Sequence, residues 1–247
     1  MTAPLETARG IAVLCRLFGA APLVAYRVSR PGVPRATARA AVLKHIASAR
    51  RAADVLLDIA AAPDRSDGRG GFVLAYNQTS IADDLGNLDV LWQFADHSVL
   101  AAEYGLIPFF KAAAERMGIV LMKRGDRVAT EQILARLVGL ASRGEVITLA
   151  AEGRLSPDGD VGHFKRGAFL IAIRAGVPVV PMAVHGGRRI LRPGSLRLRP
   201  GTLRYRFGSA ISVDGLVEDD APILAERVRQ AVATLHAEAE SEARLAK

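Results

Sequence analysis

The sequence has a single cysteine, few aromatic residues and no long uninterrupted apolar run. One cysteine, Cys15, excludes a disulfide framework and is consistent with a reducing compartment. Because Cys15 lies in an apolar run, we expect it to be buried rather than a nucleophile. Aromatic residues make up 5% of the 247 residues, and neither zinc-ligand spacing nor a recognition-helix pattern is present. No nucleic-acid partner is therefore expected.

The most apolar segment, residues 11–28, is interrupted by Arg16, Pro22 and Arg27. A membrane-spanning helix needs ~20 apolar residues with few charges, so we expect this segment to fall short. A helix lying in the membrane interface is the favoured interpretation, and a helix packed on a soluble domain is the alternative. The residues before it carry little positive charge and do not predict a secretory signal peptide.

The charge is strongly unbalanced, with a formal net charge of +8. This excess implies an anionic partner, such as an acidic membrane surface, a phosphate-bearing substrate or nucleic acid. Part of it lies in a Pro/Gly-rich segment, whose arginines predict contact with anionic lipid or a solvated loop. These arginines are Arg188, Arg189, Arg192, Arg197 and Arg199.

The N-terminal part of the chain predicts helices. Apolar residues from Val42 to Ala60 recur at spacings of three and four, which predicts a helix over Thr37–Ala61 with one apolar face. Such a face beside basic residues suits anionic lipid headgroups, although a solvated charged face is equally common. The basic residues in question are Arg39, Lys44, Arg50 and Arg51.

The rest of the chain predicts an α/β domain with a mostly parallel sheet flanked by helices. Residues 62–71 have the composition of a loop, so we divide the chain into a membrane-associated helical segment, 1–62, and an α/β domain, 63–247. Apolar runs then alternate with helical patterns, as in a parallel sheet covered on both faces. The predicted strands are Phe72–Tyr76, Ser98–Ala102, Ile119–Met122, Val146–Ala150, Val179–Val184 and Leu203–Phe207, the last as a half-exposed edge strand.

Polar residues follow the first of these strands in the order Asn77-Gln78-Thr79-Ser80-Ile81-Ala82-Asp83. The segment leaves a strand and enters a helix, so its polar side chains should collect at the carboxyl edge of the sheet. Ser80 could cap the helix that begins near Ala82. Gln78 has the hydrogen-bonding groups of an amide and the size to reach Asp83, but a carboxamide is not a base near neutral pH.

Three further segments contain glycine, basic or acidic residues near predicted strand ends. The first runs from Gly118 to Arg124, and the second contains Glu152-Gly153-Arg154 and, after a loop, Lys165. The third, residues 176–184, is apolar and punctuated by prolines. Arg154, Arg124 and Lys165 suit phosphate, and Gly153 permits close approach of the backbone.

In this order the four segments resemble the motifs of the glycerolipid acyltransferases, the lysophosphatidic acid acyltransferase-like family, over about residues 72–211. The resemblance implies transfer of a fatty acyl group from acyl-CoA or acyl carrier protein to a lysophospholipid hydroxyl, with 1-acylglycerol-3-phosphate the expected acceptor. It implies no metal or bound cofactor, and a location at the cytoplasmic face of a membrane. The substrate-binding residues it implies are Asn77, Ser80, Arg124, Glu152, Gly153, Arg154 and Lys165.

The resemblance fails at the position of the catalytic base, and Ala151 and Leu155 also depart from the usual form of the third motif. The family pattern is Asn-His-x-Ser-x-x-Asp, in which His is the general base and Asp fixes it; here Gln78 occupies the position of the His and Asp83 that of the Asp. We therefore expect an acyltransferase scaffold with impaired turnover, unless His97, His163 or His185 supplies a base. A catalytically inactive lipid-binding protein of the same fold, and a basic protein that binds membrane or nucleic acid, remain alternatives.

Overall fold

The computed structural model describes residues 3–60, 70–123, 125–156 and 158–245. Its centre is a seven-stranded sheet in the order β1-β7-β6-β2-β5-β3-β4. The strands are β1 (Val55–Ala60), β2 (Val73–Tyr76), β3 (His97–Ala101), β4 (Ile119–Met122), β5 (Ile147–Ala150), β6 (Val179–His185) and β7 (Gly201–Phe207). Strands β6, β2, β5, β3 and β4 are parallel, whereas β7 is antiparallel to β6 and parallel to β1.

Helices cover both faces of this sheet. They are α1 (Ala3–Leu14), α2 (Ala21–Ser29), α3 (Arg35–Ala53), α4 (Asp84–Leu91), α5 (Phe110–Met117), α6 (Arg127–Ala141), α7 (Gly167–Ala175), α8 (Gly187–Ile190) and α9 (Ala221–Leu245). Leu74 and Tyr76 of β2 pack with α1 to α5, and Val73 and Ala75 pack with α6, α7 and α9. Successive side chains of a strand point to opposite faces, so β2 is buried in two cores. The predicted fold class, a mostly parallel sheet flanked by helices, is confirmed.

The predicted helix over Thr37–Ala61 is wrong in its last third. Helix α3 ends at Ala53, and Asp54 adopts a left-handed conformation with φ 57°. The chain then forms β1, which pairs with β7. Leu56 and Ala60 fit a helical spacing, but strand pairing at the edge of the sheet overrides this local pattern. The proposed boundary at residues 62–63 lies outside the described residues and stays a prediction.

The prediction of an edge strand at Leu203–Phe207 is also wrong, because β1 was not recognised. Strand β7 lies between β1 and β6, with the alternating burial that its sequence indicates. Its polar positions are stabilised by charge: Arg206 forms ion pairs with Asp58 of β1 and Glu242 of α9. An alternating pattern therefore marks a strand with one polar face, and that face is covered here by ion pairs.

The N-terminal helices dock on the α/β domain. The rings of Tyr26 in α2 and Phe109 pack edge-on, with their centroids 5.2 Å apart. Glu6 of α1 forms an ion pair with Arg199, with Oε1 and Nε 3.2 Å apart. By length and composition, Ala3–Ser29 is apolar enough to cross a membrane, contrary to our expectation that the segment falls short. Cys15 begins a π-helical turn between α1 and α2 and is exposed, not buried as we expected.

Two of the basic residues of α3 bind the protein itself. Arg39 donates hydrogen bonds to the carbonyl oxygens of Ala95, Asp96 and Met117, and Arg50 pairs with a carboxylate of α4. These guanidinium groups are therefore engaged in joining α3 to the domain.

Candidate active site

The polar segment that follows β2 lies at the carboxyl edge of the parallel strands, as predicted. Asn77 is fully buried, and its amide exchanges two hydrogen bonds with the backbone of Val184 in β6, at 2.8 and 3.0 Å. Ser80 is equally buried; it donates to the carbonyl oxygen of Leu191 at 2.5 Å and accepts from the backbone N–H of Ala82 at 3.0 Å. Both side chains therefore fix the shape of this loop, and the predicted cap by Ser80 is confirmed.

Gln78 lies between two carboxyl groups, but its amide does not reach the one we expected. Its Nε2 donates to Asp84 Oδ1 at 2.9 Å, rather than to Asp83. Its backbone N–H donates to Glu152, and its carbonyl oxygen accepts from the backbone of Ser156 at 3.0 Å. Gln78 is thus held on one side by the start of α4 and on the other by the loop after β5.

Asp83 is unavailable to Gln78 because it caps the turn before α4. Its Oδ2 accepts from the backbone N–H groups of Thr79 and Ser80 at 2.7 and 2.9 Å. Its Oδ1 is buried without a hydrogen-bond partner among the described residues, and it faces Gly187 of α8 so closely that a Cβ there would overlap it. Burial raises the pKa of Asp83 to about 7, although the two N–H groups oppose the shift.

Asp84 is the carboxylate in contact with the side chain at position 78. It also accepts from Tyr104 Oη at 3.2 Å and from Asn87 Nδ2 at 3.2 Å. Burial raises the pKa of Asp84 to about 6, while these two donors lower it. Asp84 was not identified from the sequence as a site residue, because its contacts with Gln78, Asn87 and Tyr104 depend on side-chain orientations that residue order does not specify.

The loop after β5 brings further predicted residues to the site. Glu152 is buried and accepts backbone hydrogen bonds from Gln78 and Gly162, and burial raises its pKa to about 7. Its Oε1 has no partner within the part of the chain that the structure describes. Gly153 has φ 67°, and the side chain of Lys165 lies across it. Exposed Arg154 is close enough to lower the pKa of Glu152 slightly.

An apolar pocket of about 130 Å³ lies between the N-terminal helices and the sheet. Its walls are mostly aliphatic or aromatic, including Leu17 and Phe110, and its polar end is formed by Asp84 with its hydrogen-bond partners Asn87 and Tyr104. Because Asp84 also binds Gln78, the polar site and the apolar pocket meet at one carboxylate.

A second cavity is a cleft of about 1110 Å³ that we call the arginine cleft. It is bordered by Thr79, the residue after Gln78, and by two histidines, His185 and His236, whose rings lie 3.3 Å apart at Nδ1 and Nε2. Its arginines are Arg188, Arg189, Arg192, Arg197, Arg199 and Arg204.

The structure therefore brings together Gln78, Asp83, Glu152, Gly153 and Lys165, with Arg154 at the rim. The predicted phosphate ligand Arg124 lies outside the described residues. His97 is excluded as a substitute base, because it lies at the start of β3, where it hydrogen-bonds Glu145 at 2.7 Å. His185, at the end of β6, has a pKa lowered to about 4, chiefly by burial, and His163 is exposed.

Known proteins with similar sequences share one description. The acyltransferase family matches residues 59–185, about half of the chain. A chloroplastic 1-acyl-sn-glycerol-3-phosphate acyltransferase of Brassica napus is 40% identical over 90 residues, which are 36% of this chain and 26% of the relative. The 1-acyl-sn-glycerol-3-phosphate acyltransferase alpha of Ovis aries is 29% identical over 178 residues, 70% of this chain and 60% of the relative. The chain thus matches between about a quarter and three fifths of these relatives' length.

A solved structure shares the fold. The crystal structure of the 1-acyl-sn-glycerophosphate acyltransferase PlsC from Thermotoga maritima superposes with a TM-score of 0.68 at 23% identity. The match covers 94% of this chain and 93% of the other. At this identity the likeness establishes the architecture, including helices before the sheet, and the chemistry has to be argued from the site.

Proposed function

The chain belongs to the acyltransferase family, and we propose that its site is built to move a fatty acyl group from an acyl thioester to a lysophospholipid hydroxyl in phospholipid biosynthesis. The donor is acyl-CoA or acyl carrier protein, and the acceptor is 1-acylglycerol-3-phosphate. One observation carries the proposal: Asp84 both binds the side chain of Gln78 and forms the polar end of the apolar pocket. Acyl transfer needs this juxtaposition of a reacting centre and a pocket for the chain.

The reaction requires a base at position 78. The acceptor hydroxyl loses its proton as its oxygen attacks the thioester carbonyl carbon, the C–S bond breaks, and the thiolate takes up a proton. General-base catalysis of such a step typically contributes ~10² to 10⁴ in rate. Gln78 cannot accept the proton. We therefore infer that this chain binds and orients its substrates but turns them over slowly. No metal or bound cofactor is needed for these transfers.

Basic groups beside Glu152 suit the acceptor's phosphate. Lys165 lies across Gly153, and Arg154 is exposed next to it, so a phosphate at this rim meets two cations without burying either. Glu152, whose Oε1 is unpartnered in the described structure, is placed to accept a hydrogen bond from an acceptor hydroxyl. Arg124 is proposed to join them.

We propose that the acyl chain enters the apolar pocket. Each buried methylene contributes about 0.8 kcal/mol, which favours long chains. The pocket's 130 Å³ is below the about 300 to 1,000 Å³ of common ligand sites. A long chain therefore needs α2 and α5, which form part of its wall, to move apart.

The N-terminal helices suit peripheral binding to an anionic membrane, on the cytoplasmic face. Large apolar side chains of α1, α2 and the turn between them are exposed, among them Leu5 at 54% and Leu23 at 52%. A helix lying in the interface buries such a face, and the ion pair of Glu6 with Arg199 keeps α1 on the domain. We favour this arrangement over a spanning helix for that reason, and we propose no nucleic-acid partner.

Replacement of Gln78 by His tests the proposal. We expect Gln78→His to raise the rate of phosphatidate formation from acyl-CoA or acyl carrier protein and lysophosphatidate by about 10² or more, followed by mass spectrometry of the lipid product. Gln78→Asn is the matched control, since it keeps an amide and supplies no base. If Gln78→His forms no product with any donor, the acyltransferase proposal fails, and an inactive lipid-binding protein of this fold becomes the better account.

A further inference from the structure

The arginine cleft is a basic cavity with walls from several parts of the chain. Arg188 and Arg189 come from α8, Arg192 and Arg197 from the loop that follows, and Arg204 from β7. The carboxylates that line it are Asp158, Asp160 and Glu240, so the cations outnumber them. The walls face a volume of about 1110 Å³, large enough for a ligand that carries several phosphates.

Some polar groups of the cleft lack a protein partner. Arg192 and Arg197 are exposed, and neither guanidinium forms an ion pair with any residue that the structure describes. Nε2 of His185, a side chain that is 94% buried in the cleft wall, is also without a hydrogen-bond partner among the described residues. A buried polar atom without a partner costs about 1 to 3 kcal/mol. The cleft wall carries that cost at His185, and the exposed guanidinium groups of Arg192 and Arg197 are available to an anion in the cleft.

The position of the cleft relates it to the proposed reaction. Thr79 borders the cleft, Gln78 precedes it, and Asp84 joins Gln78 to the apolar pocket. The order along this line is a basic cleft, the reacting position and an apolar pocket. An acyl-CoA has the same order of parts: a phosphorylated nucleotide, a thioester and an acyl chain.

We propose that the arginine cleft binds the phosphates of the nucleotide of acyl-CoA; this rests on the proposed acyl transfer. The site is distinct from the rim at Arg154 and Lys165, which serves the single phosphate of the acceptor. A concave site with arginines on several walls fits a small polyphosphate, because planar guanidinium groups bind phosphate through paired hydrogen bonds. A flat membrane surface would not require arginines on several walls of a cavity.

Binding of CoA itself, by titration calorimetry on the whole chain with Gln78 in place, tests this without turnover. We expect the Arg192→Gln/Arg197→Gln double variant to weaken CoA binding about tenfold or more. The loss should be smaller for 3′-dephospho-CoA, which lacks one of the phosphates. Both arginines are exposed, so the double variant should fold. Arg136→Gln, an exposed arginine of α6 outside the cleft, should bind CoA as the parent chain does.

Two results would overturn the assignment. One is equal affinity of the double variant and the parent for CoA. The other is a loss confined to lysophosphatidate, or to vesicles of phosphatidylcholine with phosphatidylglycerol, which would make the cleft an acceptor or membrane site. The proposed function fails separately: product from acyl carrier protein by Gln78→His, together with no CoA binding, would retain acyl transfer and refute the CoA site. CoA binding without product from any donor would retain the CoA site and refute acyl transfer.

Discussion

Acidic groups and basic groups are treated differently on the two sides of Gln78. The carboxyl cluster, Asp83, Asp84 and Glu152, is enclosed by protein, and burial raises all three pKa values toward neutrality. The arginine cleft is open to solvent, and there Arg192 and Arg197 are exposed. Desolvation penalises charge in the first region and barely in the second. The difference shows that one loop can separate a buried cluster of carboxyl groups from an exposed cluster of arginines.

The largest expected effect comes from adding a side chain where α8, which carries arginines of the cleft, packs against the carboxyl group of Asp83. A Cβ at Gly187 would overlap Asp83 Oδ1, so Gly187→Ala should push α8 from the motif loop and lower the free energy of unfolding by about 3 kcal/mol or more. Gly139→Ala is the control, because a Cβ on this residue of α6 would make only an ordinary contact with the side chain of Arg143; it should stabilise by about 0.5 to 1 kcal/mol. Urea unfolding measures both, and equal stability of the two variants would contradict the close packing.

The carboxyl cluster should make stability depend on pH. Burial raises the pKa of Glu152 from 4.5 to about 7, so its contribution is fully present below about pH 4.5 and is lost as the pH rises through 7. Glu152→Gln should therefore gain stability relative to the parent between these limits, by at most about 3 kcal/mol and by less where solvent screens the charge. Urea unfolding of both proteins at a series of pH values tests this. A stability difference that does not change with pH would show that the pKa of Glu152 is not raised.

Filling the apolar pocket should change chain-length preference. Ala21 lines the pocket, so in a Gln78→His background Ala21→Trp should lower kcat/KM about tenfold for long acyl donors and little for short ones, since the lost burial is about 0.8 kcal/mol per methylene. Leu23→Trp changes an exposed position of the same helix and should leave the preference unchanged. The same loss for every chain length would show that the acyl chain lies elsewhere.

The smallest effect concerns membrane binding. Leu5→Gln/Leu23→Gln removes two exposed apolar side chains from α1 and α2, so sedimentation with anionic vesicles should weaken several-fold. Val128→Gln/Ile223→Gln alters positions on α6 and α9 that are even more exposed, and this double variant should bind as the parent does. If the two pairs of substitutions weaken binding equally, docking is not through the N-terminal helices.

Local patterns predicted much of the fold. Apolar runs located β2 to β6 to within two residues at either end, because strands buried on both faces need uninterrupted apolar sequence. The alternating pattern located β7 equally well. These patterns failed at β1, which follows α3 after a single left-handed residue, Asp54. The spacing of Leu56 and Ala60 suits either structure, so only the partner strand decides between them. Because β1 was not predicted, β7 was predicted at the edge of the sheet rather than between two strands.

The candidate site divides in the same way. The strand ends predicted that the polar side chains after β2 lie at one edge of the sheet, and the family resemblance implied that Gln78, Asp83 and Glu152 share a site. Neither could show that Asp83 is occupied by the backbone of Thr79 and Ser80, or that Gln78 turns to Asp84. Those choices depend on hydrogen-bond geometry over a few ångströms, which residue order does not specify.

By itself the sequence determined the chemistry available to this protein: strands with polar residues at their ends, an amide in place of a base, and an excess of arginine. Only the tertiary structure decided how that chemistry is divided. It enclosed the carboxyl cluster among backbone N–H groups and side-chain donors. It also brought arginines of α8, a loop and β7 around one cleft beside Thr79. The physical reason is that burial and pairing arise between segments far apart in the chain, and these set which charges are suppressed and which stay available to a ligand.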